Sequence, residues 1–131
     1  MDLDRQNISS GAIWEDKVGY SRAVRIGNQL EISGCVATKD GKTIGKGDAY
    51  LQAKRCFEII LEALNAAGAT PQQVIRTRMY VTDINRDWEA VGRAHAEVFA
   101  QVKPSTTMVE VSALIHQDYL VEIEATAVLS S

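Results

Sequence analysis

Two runs of alternating apolar and polar residues near the C-terminus constrain the fold of this chain more than any other feature. The runs are Thr107–Val111 and Leu120–Val128, and each has the two-residue period of a strand that is buried on one face. Glu122 and Glu124 share the less apolar face of the second run, but apolar residues accompany them there. We therefore expect another part of the structure to cover this face partly, and Glu122 is the first candidate for function.

Length and composition predict a single globular domain over residues 1–131. The 131 residues are 46% hydrophobic, which is enough for one core but not for two. No apolar run approaches the roughly 18–20 residues that span a bilayer. The N-terminus lacks a signal-peptide pattern, so we expect a cytoplasmic protein without a membrane partner. The net charge of −3 and the scattered lysines and arginines argue against a nucleic-acid partner.

The cysteines and histidines of the chain do not form a metal-binding pattern. Cys35 and Cys56 have neither the spacing of metal ligands nor the density of a disulfide scaffold, and we expect both to be small packing residues. His95 falls on the apolar stripe of a predicted helix, whereas His116 falls in a loop. A half-buried His95 with a hydrogen-bond partner is favoured over a catalytic one, and no metal site is predicted.

Helical spacing of apolar residues predicts two long helices. The first covers Asp48–Ala67, where Asp48 caps the start and Gly68 ends the helix in the left-handed region. The second covers Trp88–Gln101, with Asp87 as its cap and an apolar stripe that includes Trp88. The first dozen residues are predicted to be a loosely held lead-in.

The remaining elements are predicted to be strands. Tyr20–Ser33 has the pattern of a hairpin that turns at Gly27 and Asn28, and a bulge is expected near Gly34. Ile75–Val81 alternates as a third strand, with Ile75 on its core side. Strands and helices in this mixed order predict an α+β fold, in which a mixed sheet carries both helices on one face.

Short motifs distributed over most of the chain combine into one pattern. They are Gly19–Ser21, Ala23–Asn28, Ser33–Gly34, Ala66–Gly68, Tyr80–Ile84, Pro104–Val111 and Val121–Ala125. Together they resemble the Rid/YjgF family, also known as the L-PSP endoribonucleases, from about residue 18 to residue 128. The resemblance implies a chorismate-mutase-like fold that assembles as a homotrimer with a central β-barrel and binds small molecules in clefts between subunits. It also implies imine hydrolysis, to a keto compound and ammonia, without a metal or an organic cofactor.

The resemblance also assigns a site to this chain. The glutamate proposed to activate water in the family matches Glu122, which is the candidate catalytic residue. The candidate substrate-binding residues are Tyr20, Ser33, Gly34, Cys35, Thr106, Thr107 and Met108.

Two positions depart from the pattern of the imine deaminases. Those members have arginine at the position of Thr106, where it clamps the substrate carboxylate, and asparagine at the position of Gly92. Each charge-assisted bond of such a clamp contributes on the order of 1.5–3 kcal/mol, whereas Thr106 offers one neutral hydroxyl. A 2-imino acid beside Glu122 would therefore bring a second, unpaired negative charge, and we predict no activity on 2-iminopropionate.

Arg22 and Arg93 are the candidate replacement cations. Arg22 is two residues from Tyr20 and shares its face if that segment is extended, while Arg93 lies on the second predicted helix. Two functional classes remain open: a metal-independent imine or enamine hydrolase in which Glu122 activates water, and a non-catalytic trimeric binder or sensor of a small metabolite. A ribonuclease fits less well, because the acidic chain lacks a basic stripe.

Overall fold

The computed structural model describes residues 4–130, which form a six-stranded sheet with two long helices on one face. A separate two-stranded sheet and one short helix complete the fold. No helix within residues 4–130 is long and apolar enough to cross a membrane. In chain order the elements are β1 (Arg5–Ile8), α1 (Ile13–Val18), β2 (Ala23–Ile26), β3 (Gln29–Cys35), β4 (Thr38–Lys39), β5 (Lys42–Thr43), α2 (Ala49–Ala66), a 3₁₀ turn (Pro71–Gln73), β6 (Val74–Val81), α3 (Ile84–Phe99), β7 (Ser105–Glu110) and β8 (Val121–Val128).

The large sheet has the order β1-β2-β3-β8-β6-β7, so β8 lies inside it and β7 forms one edge. Its neighbouring strands are antiparallel except for β6 and β7, which are parallel. The sheet is therefore mixed, as the sequence predicts. Tyr80 of β6 lies opposite Glu122 of β8, and Met79 lies opposite Ile123. Glu122 and Tyr80 consequently share the sheet face that carries no helix.

The core lies between the other face of the sheet and the helices α2 and α3. The side chains of β8 that face the helices are at most 1% exposed, and so are Phe57 of α2 and Phe99 of α3. The predicted apolar stripe of α2 is confirmed, because all of its members are buried: Ala49, Ala53, Cys56, Phe57, Ile60, Leu64 and Ala67. This central part of the core comprises Ala53, Cys56, Phe57, Ile60, Leu64, Phe99, Val121, Ile123, Ala125 and Ala127.

Several local predictions are confirmed by the structure. Asp48 caps α2 by accepting a hydrogen bond from the backbone N–H of Leu51 at 3.0 Å. Gly68, with φ of 77°, follows the last turn of α2, and the N–H of Ala69 returns to the carbonyl of Leu64. The register between β3 and β8 shifts beyond Ile32, so the predicted bulge is present.

The start of the second long helix was predicted four residues too late. Its cap is Asp83, which accepts from the N–H of Arg86 at 3.1 Å, and the helix begins at Ile84 rather than Trp88. Asp87 is instead 6% exposed and forms a two-pronged pair with Arg86. Trp88 is 53% exposed, so it does not belong to the apolar stripe.

Two further expectations were wrong. Within the predicted lead-in, Arg5–Ile8 are not loosely held, because β1 pairs with β2 along its whole length. Residues 1–3 of that prediction lie outside the described residues. A short helix, α1, follows it and ends at Gly19, whose φ is 91°. Ile75 is 51% exposed, because a register shift between Val74 and Arg76 turns Val74 into the core in its place.

Candidate functional site

Glu122 lies directly over the bulge of the neighbouring strand. It projects from β8 on the helix-free face, where β3 passes with Gly34. A Cβ atom on Gly34 would lie 2.9 Å from the carboxyl carbon of Glu122 and closer still to one of its oxygens. The absence of a side chain at Gly34 therefore makes room for the carboxyl group of Glu122.

The surroundings of Glu122 favour its protonated form more than water does. Its side chain is half-buried, and this burial raises the pKa of Glu122. Repulsion from Glu124 adds to the increase, while the positive charge of Arg22 opposes it. Glu124 differs, because it accepts a hydrogen bond from the Tyr80 hydroxyl at 2.6 Å. The pKa of Glu122 is thus moved toward neutral pH, which suits a general base.

Arg22, just before β2, connects Tyr20 with the candidate residues of β3. Its Nη1 donates to the carbonyl oxygens of Ser33 at 3.2 Å and Gly34 at 2.9 Å, and lies 3.1 Å from Sγ of Cys35. The guanidinium also stacks over the ring of Tyr20, 5.8 Å from its centroid. One half-buried cation therefore fixes the backbone of the bulge and lies close enough to Glu122 to influence its charge.

Ser33 and Cys35, two polar side chains beside Arg22, are not free nucleophiles. The hydroxyl of Ser33 donates to the carbonyl of Ser21 at 2.7 Å. Burial raises the pKa of the Cys35 thiol, although the neighbouring Arg22 partly opposes this. Cys35 is therefore a neutral thiol rather than a thiolate nucleophile.

Tyr20 and Ser33 also line an open depression of about 480 Å³ that continues towards α1.

Thr106, Thr107 and Met108 lie elsewhere on the sheet. All three belong to the edge strand β7, which β6 separates from β8. Thr106 and Met108 are paired with the buried Thr77 and Met79, and therefore share their face of the sheet. Within one chain, the structure does not bring these residues to the group around Glu122.

The hydroxyl of Thr106 takes part in a hydrogen-bonded chain that the sequence did not indicate. Its Oγ1 lies 2.6 Å from Oγ1 of Thr77, which in turn lies 2.8 Å from Nε2 of His95. The prediction that His95 is half-buried with a hydrogen-bond partner is confirmed. No local pattern pointed to its partner, because Thr77 lies on another element, 18 residues away.

Thr107 and Arg93 face other surroundings. Oγ1 of Thr107 accepts from Arg76 at 2.8 Å on the helix-free face. Arg93 stacks over the ring of Tyr50, 4.4 Å from its centroid, where α3 meets α2. Of the two candidate cations, Arg22 is therefore the one placed beside Glu122 in a single chain. Within residues 4–130, no group of three or more His, Cys, Asp or Glu side chains is arranged to hold a metal ion.

Comparison with known proteins identifies the family of this chain. Residues 14–129 match the family model described as endoribonuclease L-PSP. The chain is 41% identical over 110 residues to the RutC family protein PH0854 of Pyrococcus horikoshii, covering 82% of this chain and 85% of that protein. It is 38% identical over 122 residues to the uncharacterized protein SCO2049 of Streptomyces coelicolor, covering 93% and 90%.

Solved structures give the same result. The crystal structure of Rv2704 from Mycobacterium tuberculosis, described as a member of the YjgF/YER057c/UK114 family, has a TM-score of 0.87 and 46% identity, with 96% of this chain and 100% of that chain covered. The YjgF gene product of E. coli has a TM-score of 0.81 and 26% identity, with 94% and 98% covered. The chain belongs to the Rid/YjgF (L-PSP) family. Within the Rid/YjgF fold, Glu122, Gly34 and Arg22 form one group and Thr106 forms part of another.

Proposed function

We propose that this Rid/YjgF protein works as a homotrimer whose inter-subunit clefts hydrolyse a small, uncharged imine or enamine. The observation that carries the proposal is the position of Glu122, half-buried over Gly34 with a raised pKa and without a hydrogen-bond partner among residues 4–130. A carboxylate in such surroundings is a suitable proton acceptor for water near neutral pH.

The reaction needs one group that takes a proton and returns it. Glu122 removes a proton from water as the oxygen attacks the imine carbon, and the C=N double bond becomes a single bond. The protonated Glu122 then gives that proton to the nitrogen, which completes a carbinolamine. Glu122 next accepts the remaining hydroxyl proton and passes it to the same nitrogen, so that the C–N bond breaks, ammonia leaves and a carbonyl forms. Arg22 keeps the carbonyl groups of Ser33 and Gly34 in place, and thereby maintains the space beside Gly34 that the carboxyl group of Glu122 occupies.

Assembly is part of this proposal because the two groups of candidate residues are separate in one chain. β6 lies between Glu122 on β8 and Thr106 on β7. In the proposed trimer, the β7 edge of one subunit faces the Glu122 group of its neighbour. Such a closed arrangement also covers the helix-free face, on which Val128 is 45% exposed.

The same arrangement defines the class of substrate. Thr106 carries no charge, and its hydroxyl is already bonded to Thr77. A carboxylate there would lose hydration without gaining a cation, while Glu122 would repel it across the cleft. Arg22 does not remove this difficulty, because its Nη1 holds the backbone carbonyls of the bulge and its positive charge already acts on Glu122 in the same chain. We therefore expect a neutral substrate rather than a 2-imino acid.

A pair of nearly isosteric substrates tests this proposal. 2-Iminopropionate and 2-iminopropionamide differ in that the second replaces a carboxylate oxygen by an uncharged amide nitrogen. Both are generated in solution, and the release of ammonia is followed with and without the protein. We expect acceleration for the amide, little or none for the acid, and loss of the acceleration in Glu122→Ala while the trimer persists by light scattering. Rapid hydrolysis of the acid would contradict the proposal.

A non-catalytic binder or sensor is the second candidate. It is favoured by the small number of free polar groups around Glu122, since Ser33 is bonded to the backbone and Cys35 is a neutral thiol. Calorimetry with the product pyruvamide distinguishes the two functions. Binding of pyruvamide without any acceleration of 2-iminopropionamide hydrolysis would favour the sensor. The scattered charges give no support to RNA cleavage.

A further inference from the structure

A chain of three side chains runs from a helix through the core to the edge of the sheet. His95 of α3 bonds through Nε2 to the hydroxyl of Thr77, and Thr77 bonds to the hydroxyl of Thr106. Thr77 is 0% exposed, so no water can replace either partner. Thr106 ends the chain at the exposed edge of β7. The chain thus connects a titratable ring to a hydroxyl at the surface.

The surroundings of His95 keep its ring fixed. Its ring lies 5.6 Å from the ring centroid of Phe57 of α2 and 4.9 Å from that of Phe99 of α3. Burial lowers the pKa of His95, and among residues 4–130 no charged side chain contributes to this shift. From β6, the group that faces the ring is Thr77, which is uncharged. The ring is therefore neutral at pH 7, with a single N–H whose position depends on its tautomer.

The direction of one hydrogen bond in this chain determines the direction of the next. Within residues 4–130 the hydroxyl of Thr77 has two partners, Nε2 of His95 and Oγ1 of Thr106, so if Nε2 donates to Thr77, the hydrogen of Thr77 is left to donate to Thr106. The hydrogen of Thr106 is then free to point away from the sheet. If Nε2 accepts, each bond is reversed and Thr106 presents only oxygen lone pairs to a ligand. A protonated ring can only donate.

We propose that His95, acting through Thr77, is a positioning residue that sets the direction in which the Thr106 hydroxyl donates, and that Thr106 thereby recognises an uncharged carbonyl group of the ligand. The inference rests on the proposed function for the statement that Thr106 faces the ligand. A carbonyl oxygen accepts the outward hydrogen of Thr106, so its binding favours the state in which His95 donates. Ligand binding and the state of His95 are consequently coupled.

Nuclear magnetic resonance of the histidine rings tests the relay without any turnover. The chain has two histidines, and His116→Gln assigns their signals. The ¹⁵N shifts of His95 report its tautomer and its pKa. We expect Thr106→Val to change both, although Thr106 does not contact His95, and Thr106→Ser to restore them. Thr107→Val is the matched control, because its hydroxyl is bonded to Arg76 instead. Unchanged His95 signals in Thr106→Val would overturn the relay.

Binding of pyruvamide tests the link to the ligand. The measurements use Glu122→Gln protein, so that titration of Glu122 does not enter. As pH falls through the pKa of His95, we expect affinity to rise about three- to tenfold, the range of one hydrogen bond. Saturating pyruvamide should raise the proton affinity of His95 by the same three- to tenfold factor, which appears as an upward shift of its pKa. Thr77→Val should abolish both effects, and Thr106→Ser should keep them.

These experiments distinguish failure of the carbonyl recognition from failure of the enzymatic function. If pyruvamide binds with the same affinity at every pH, or does not bind, the carbonyl recognition is wrong. If the coupling to His95 is present but 2-iminopropionamide is not hydrolysed, the relay is supported and the enzymatic function fails.

Discussion

The Glu122 region and the β7 edge differ in how far one chain can complete them. Around Glu122, the room at Gly34 is supplied by β3, and Arg22 and the stacked Tyr20 come from the segment that leads into the neighbouring strand β2. At the β7 edge, Thr106 is held from behind by Thr77, while its outward side has no partner within residues 4–130. The first region is formed by folding, and in our proposal the second is completed by assembly.

This difference separates the residues proposed for catalysis from those proposed for ligand selection. The folded group contains the proton acceptor and the cation that fixes its position. The edge strand contains the groups that would select the ligand. Variants of the first region should therefore change the rate of hydrolysis, whereas variants of the second should change which molecule is accepted.

Subunit complementation is the strongest test of this comparison. Glu122→Gln and Thr106→Trp chains should each be inactive, because the first lacks the base and the second blocks the opposite wall. When equal amounts are unfolded and refolded together, sites that combine an intact Glu122 with an intact Thr106 from a neighbour reappear. Random mixing should restore about a quarter of wild-type activity. Ammonia release is the measurement.

Refolding each variant by itself controls for recovery of activity during the procedure. If the mixture is no more active than its components, Glu122 and Thr106 do not serve the same site from different subunits.

Gly34→Ala should separate rate from stability in the folded region. The added methyl group displaces the carboxyl of Glu122 by roughly one ångström, which we expect to lower the rate of hydrolysis about 100-fold. The fold itself should tolerate the change, because the colliding atoms end a flexible side chain. Gly92→Ala is the comparison for stability: it has open space around its Cβ and should raise the free energy of unfolding by about 0.5–1 kcal/mol. An unchanged rate in Gly34→Ala would remove Glu122 from the mechanism.

Thr106→Arg should change selectivity at the β7 edge. A guanidinium supplies the charge-assisted bonds that Thr106 lacks, so the ratio of kcat/KM for 2-iminopropionate over 2-iminopropionamide should rise about tenfold or more. Thr107→Arg adds the same charge on the opposite face of the strand and should leave the ratio near its wild-type value. Equal changes in both variants would indicate a general effect of charge rather than a clamp.

The raised pKa of Glu122 should appear as a small dependence of stability on pH. A glutamate whose pKa is higher in the folded state stabilises the fold when protonated, and this contribution is lost as pH rises through the folded pKa. The side chain of Glu122→Gln stays uncharged at every pH and does not lose this contribution. The variant should therefore have a higher Tm than wild type at pH 7. The difference should disappear below about pH 4, the ordinary range of a glutamate. Glu124→Gln is the comparison, since it removes a charge from the same strand while keeping an oxygen that accepts from the Tyr80 hydroxyl.

Local patterns predicted the parts of the fold whose signals lie within one element. The alternation along β8 and the stripe and caps of α2 are of this kind. Asp83 and Asp87 are four residues apart, and both are good caps, so sequence alone could not choose between them. The pair that Asp87 forms with Arg86 shows why it is not the cap. β1 has a single apolar residue, Ile8, among its four, and it is a strand because β2 supplies its partner.

The site divides in the same way. Glu122, Tyr20 and Gly34 could be selected from short motifs and a strand period. The contact between Gly34 and Glu122 depends on a bulge, which shifts the register between two strands far apart in the sequence. The bond between Thr77 and His95 depends on where α3 crosses β6. Such contacts are fixed by packing between elements, and the local period of either element does not contain them.

The outer edge of β7 has a consequence for the protein before it finds partners. Its backbone N–H and C=O groups on that side are unpaired within residues 4–130, and Glu110 is the one charged residue among its six. β-branched side chains such as Thr106 and Val109 make it a good template for a foreign strand. Dilute samples, and variants that assemble poorly, should therefore be lost to aggregation at this edge while the rest of each molecule is still folded.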